Sequence, residues 1–112
     1  MILVFAVMAD KAWRAMLRTL VPQVAAAIVT HVGRRGLAPD ALAAALAGRV
    51  PVDSIDDARA ALRAALSRAG ADDAVLVTGS LFLVGEAYAE LGGGSLFEPW
   101  HGPKSDGTEA RV

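Results

Sequence analysis

Four short apolar runs, at residues 1–8, 25–30, 50–52 and 74–78, alternate along this chain with segments whose apolar residues recur at helical spacing. A run that is apolar throughout, rather than at every second residue, suits a strand covered on both faces. Strands joined through helices by right-handed crossovers run parallel. The order β-α-β-α-β-α-β-α therefore predicts an α/β domain: a doubly wound, mainly parallel sheet with helices on both faces.

The helical segments carry their own punctuation. Trp13, Met16, Leu17 and Leu20 share one face of the first, with Asp10 placed to cap it and Pro22 to close it. Pro39 and Asp40 open the second, Leu42 and Leu46 share its face, and Gly48 lies past its end. Pro51 in the short run that follows predicts an edge strand. Ser54 with Asp57 three residues on resembles a capping box, which makes Ile55, Ala58, Leu62 and Leu66 the buried stripe of the third helix. Gly79 and Ser80 turn the last run into a helix that points Leu83, Val84, Ala87, Tyr88 and Leu91 inward. Residues 1–91 are thus expected to form the domain. Residues 92–112, rich in Gly, Pro and charge without periodicity, are expected to be a mostly disordered tail in which Leu96, Phe97 and Trp100 dock locally. A sheet that opens at residue 1 with a central-looking strand, and has four strands where doubly wound domains usually have five or six, predicts that a first strand is missing.

Composition narrows the chemistry. The 11 basic and 12 acidic side chains nearly cancel and are interspersed, which argues against binding a nucleic-acid backbone or an anionic membrane. With no cysteine there is no disulfide framework, thiolate nucleophile or Cys-ligated metal, and two histidines make a poor metal site. The opening apolar run has no basic residues before it and is too short to span a bilayer. The expected compartment is the cytoplasm.

Open α/β sheets bind ligands beyond the C-terminal ends of their strands, which nominates Asp10 and Lys11, residues 31–35, Asp53, and Thr78, Gly79 and Ser80. Among these, Thr78-Gly79-Ser80 is the strongest, because a glycine before a helix turns the backbone tightly and offers free N–H groups and a hydroxyl to a carboxylate or phosphate. Each nominee also has a plain structural reading. Ser80 is equally a helix cap, Lys11 a solvated first-turn lysine, His31 a surface residue, and Arg34 with Arg35 a solvated turn. No phosphate loop, dinucleotide fingerprint, nucleophile elbow or metal-spaced cluster occurs.

Two segments, Val4-Phe5-Ala6-Val7-Met8-Ala9-Asp10-Lys11 and Val75-Leu76-Val77-Thr78-Gly79-Ser80-Leu81-Phe82-Leu83-Val84-Gly85-Glu86, resemble the folylpolyglutamate synthase and dihydrofolate synthase family, and Arg35-Gly36-Leu37-Ala38-Pro39-Asp40 resembles its arginine-containing loop. The likeness runs in order over residues 2–91. It implies the Rossmann-like C-terminal domain of a Mur-type ligase, an enzyme that uses ATP and Mg to activate a carboxylate as an acyl phosphate, which glutamate then attacks to form an amide. It further implies that Ser80, with Thr78 and Gly79, binds glutamate, and that Asp10, Lys11 and Arg35 position substrate or the domain interface. Two departures stand out: Ala6 where the family usually has Gly, and Ala12 where it has Asp. The family's Asp-Gly-Ala-His-Asn segment, its phosphate loop and its folate-binding part are not in the sequence. Hence the chain alone is expected to hold no catalytic residue, bind no cofactor and be inactive, with folate, glutamate and a missing N-terminal ATPase domain as partners of the parent enzyme. Two other readings are a receiver-like module built around Asp53 and a stand-alone pseudoenzyme domain that binds a partner through the sheet edge left open by the missing strand.

Overall fold

The computed structural model describes residues 1–92. The expected tail falls outside these residues, as do Leu96, Phe97 and Trp100. In chain order the elements are β1 (Ile2–Phe5), α1 (Trp13–Leu20), a 3-10 turn (Val21–Gln23), β2 (Ala26–Val29), α2 (Pro39–Leu46), β3 (Val52–Ser54), α3 (Ala58–Arg68), β4 (Val75–Thr78) and α4 (Leu81–Glu90). The strands form one parallel sheet in the order β3-β2-β1-β4, which is the predicted α/β architecture.

Burial follows from that order. Leu3, Val4, Phe5, Ala6 and Val7 are all 0% exposed, because β1 has a strand on each side and helices above and below. Leu3, Phe5 and Val7 point to the face where Leu17 of α1 and Leu42 and Leu46 of α2 pack. Ile2, Val4 and Ala6 point to the other, against Ala61 and Ala65 of α3 and Leu83 of α4. Register places Phe5 opposite Val29 on one side and Thr78 on the other. By contrast β4 is half-buried along its whole length, an edge strand whose outer side pairs with no strand among the described residues.

Local corrections have simple causes. The third strand begins at Val52, not residue 50, since Pro51 has no N–H to donate and joins the ladder only by accepting from Ala27 N at 2.9 Å. Its edge position is as predicted. Ser54 ends that strand and is not a cap. The N-cap of α3 is Asp57, whose carboxylate accepts from Ala60 N at 2.8 Å. Starting the helix at Ala58 rotates the buried stripe to Ala61, Leu62 and Ala65 and leaves Leu66 44% exposed. Leu91 lies beyond the end of α4 and is likewise exposed. Nor does Asp10 cap α1, which starts with Ala12 at its N-cap and no side-chain hydrogen bond there. A residue two positions before the cap has its carboxylate outside the first turn.

Across the α3–α4 pair, Arg59 donates to Glu86 at 2.8 Å and Arg63 to Glu90 at 2.9 Å. These ion pairs are exposed, so each contributes little. The cap matters more. Replacing Asp57 by Ala should lower unfolding free energy by about 1 kcal/mol, read as an earlier urea midpoint with an unchanged slope.

Candidate functional site

The site is built on the C-terminal end of β1. Past Phe5 the chain stays extended and buried through Val7, then Met8 forms an antiparallel bridge with Gly36. Leu37 N donates to Val7 O at 2.8 Å and Ala9 N to Arg35 O at 2.9 Å, which ties the loop after β2 onto this extension. Glycine is required at position 36, because a Cβ there would come within 2.1 Å of Val32 O. The tie brings Arg35 beside Asp10 and Lys11.

The opposite wall comes from the turn after β4. Gly79 has φ of +103° and touches the same part of β1: a Cβ on it would stand 2.3 Å from Ala6 O and 2.9 Å from the Phe5 ring. Both conditions exclude any other residue. The turn delivers Ser80 as the N-cap of α4, with Oγ accepting from Phe82 N at 3.2 Å. Ser80 is thus a cap and a cleft residue at once.

Between the walls lies a cleft of about 340 Å³ lined by Asp10, Lys11, Arg35, Gly79, Ser80 and Phe82, among others. Two cations and the positive end of a helix dipole face a single carboxylate, which favours a bound anion. The volume suits an amino-acid-sized ligand. Five of the six positions named for substrate line this cleft. Thr78 does not, since it is the last residue of β4 and pairs with Phe5. Phe82 was missed by sequence reasoning, although its place two residues after Ser80, on the turn of α4 away from Leu83, was a usable signal.

The remaining candidates lie elsewhere. His31 borders two neighbouring hollows with Asp56, one of them flanked by Asp57 and Glu86. Asp57 is engaged in capping, and Glu86 accepts from Arg59, whose pKa is raised by that hydrogen bond and by the carboxylate's charge. Asp53 lies inside β3 and pairs with Arg68, so it is not the unpaired strand-end carboxylate that a receiver needs. Arg34 does not line the cleft. Among the described residues no group of three or more His, Asp or Glu could hold a metal ion, and no helix is long and apolar enough to cross a membrane.

The profile of the family described as "Mur ligase, glutamate ligase domain" matches residues 1–81. This chain belongs to that family. Comparison with curated proteins gives no match. Among solved structures, folylpolyglutamate synthase of Mycobacterium tuberculosis, crystallised with ADP and AMPPCP, superposes with a TM-score of 0.71 at 30% sequence identity. The match takes in 81% of this chain and 23% of that one. This glutamate ligase domain thus spans less than a quarter of the length of the synthase it resembles. Within the domain, the cleft depends on Gly79 more than on any charge. Gly79→Ala should destabilise by about 1–3 kcal/mol through its left-handed φ and add a clash with Ala6, measured as a lower melting temperature than that of Ser80→Ala.

Proposed function

We propose that this domain is the glutamate-positioning, C-terminal lobe of an ATP-dependent folate:glutamate ligase of the folylpolyglutamate synthase and dihydrofolate synthase type, acting in the cytoplasm. The observation that carries the reading is the convergence of Lys11, Arg35 and the Ser80 end of α4 on one anion-favouring cleft. Family membership and the likeness to the mycobacterial synthase support it.

In this reading a carboxylate of glutamate lies against Lys11, Arg35 and the positive N-terminal end of α4, with the Ser80 hydroxyl as a hydrogen-bond donor. Charge-assisted hydrogen bonds of this kind are shorter and stronger than neutral ones. Holding that end fixes where the amine points, so the amine meets the activated acyl group in one orientation and the entropy of encounter is already lost on binding. Phe82 and Met8 border the cleft with apolar surface that helps keep water from the activated group. The nucleotide and Mg belong to the other lobe. This cleft holds one carboxylate, Asp10, and the chain has no phosphate loop, so its residues do not fit a Mg-nucleotide. The domain by itself is inactive in this account. Its partners are glutamate, the folate substrate and the ATP-binding lobe, which closes with it over the reacting groups.

Isotope-labelled protein titrated with L-glutamate tests the reading directly. The amides of residues 79–82 and those around Lys11 and Arg35 should shift together, and Lys11→Gln should weaken binding about tenfold, as expected for one lost charged hydrogen bond. Shifts that ignore these residues would refute the assignment. In a chimera where this domain replaces the matching part of the mycobacterial synthase, Ser80→Ala should raise the KM for glutamate several-fold and change kcat less.

A further inference from the structure

On the sheet face away from α3 and α4, a groove of about 200 Å³ runs between α1 and α2. Its floor is apolar, made by Leu17, Val21 and Leu46, and its rim carries three guanidinium groups, Arg14, Arg18 and Arg49. None of the three pairs with a carboxylate among the described residues. The arginines of α3 behave differently: Arg59, Arg63 and Arg68 each hold an acidic partner. Sequence explains the contrast, because no Asp or Glu occurs between Lys11 and Pro39, and Asp40 alone occurs between there and Val52. The balanced net charge therefore hides a one-sided distribution.

Helix electrostatics account for only part of this cluster. Arg18 in the last turn of α1, and Arg49 just past the end of α2, complement the negative ends of their helices. Arg14 has no such reason. It lies in the first turn of α1, where the dipole disfavours a cation, and one turn from Arg18, where like charges repel. Its guanidinium stacks over Trp13 at 4.3 Å, which holds the side chain in place. Such an arrangement costs stability in the free domain and is relieved by an external anion.

We propose that this groove docks an acidic peptide segment of a partner protein, with one apolar side chain on the Leu17–Leu46 floor and flanking carboxylates on Arg14, Arg18 and Arg49. An apolar centre with a charged, arginine-rich rim is the pattern of a protein interface. The arginines themselves are solvent-exposed, so they suit carboxylates at the rim of a contact rather than a small anion that must be stripped of water. The groove is separate from the cleft of Lys11, Arg35 and Ser80, with which it shares no lining residue, so the proposal stands whether or not that cleft takes glutamate.

The test uses the whole 112-residue chain and a fluorescein-labelled, end-blocked peptide of sequence Glu-Glu-Leu-Glu-Glu. Binding should weaken as salt rises. It should fall about tenfold when Arg14, Arg18 and Arg49 are all changed to Gln, from three modest exposed contacts, and about fivefold when the peptide's Leu is replaced by Gly. A protein with Arg59→Gln and Arg63→Gln should bind as the parent does. Single Arg14→Gln, expected to melt no lower than the parent, keeps the test valid if the triple variant unfolds, and should weaken binding about twofold. Equal binding by the arginine variants, equal binding of the Leu-free peptide, or displacement by citrate at matched carboxylate concentration would each overturn the proposal, the last by marking a small-anion site.

Discussion

Everything that matters in this domain hangs from the burial of β1. A strand with neighbours on both sides and helices on both faces has no freedom left to slide, and the five residues from Leu3 in the strand to Val7 in its extension are removed from water completely. Register along β1 is consequently fixed, and with it the height at which Met8, Asp10 and Lys11 leave the sheet. The loop carrying Arg35 and the turn carrying Ser80 then attach to that same end, one through backbone hydrogen bonds to Val7 and Ala9, the other by contact with Phe5 and Ala6. The charges of the cleft are placed by main-chain geometry.

Much of this was legible in the sequence, for physical reasons that differ by element. The architecture followed from apolar runs too uniform for one-sided burial, and the strand ends followed from the polar residues that stop those runs. Asp10, Lys11, Arg35, Gly79 and Ser80 were nominated because strand-end loops of a parallel sheet gather on one edge, and the fold does bring these five to one cleft. Thr78 was grouped with them by adjacency in sequence, but strand residues alternate in direction and Thr78 is taken up by the ladder with Phe5. Asp53 was read as a strand-end residue because Val50 and Val52 look like the strand. Tertiary hydrogen bonding instead begins the pairing after Pro51 and puts Asp53 within it.

Helix starts were harder to read than helix existence. Ser54 and Asp57 are both good caps, and only the chain's path out of β3 decides between them; choosing Asp57 turns the helix enough to exchange Leu66 for Ala61 and Ala65 at the sheet. Small side chains there let α3 approach β1 and β2 closely, which an expectation based on large apolar residues overlooks. The positive rim of the α1–α2 groove escaped for another reason. Counting charges over the whole chain averages away a segment without acids, and only the fold shows that this segment and Arg49 meet.

The two glycines that press against neighbouring backbone, Gly36 and Gly79, have a bearing on motion as well as on shape. Gly79 presses a wall of the cleft onto β1 at Phe5 and Ala6, and Gly36 packs on Val32 while bridging to Met8 on the extension of β1. A buried central strand opens locally less readily than helix ends do. Arg35 is held by backbone hydrogen bonds to Val7 and Ala9, and Ser80 by the turn at Gly79, so neither depends on α1 for its place. The Arg35 and Ser80 walls are thus joined to the central strand, while Asp10 and Lys11 lead directly into α1, so a contact on the outer helical face reaches the cleft through Lys11 alone of its two cations.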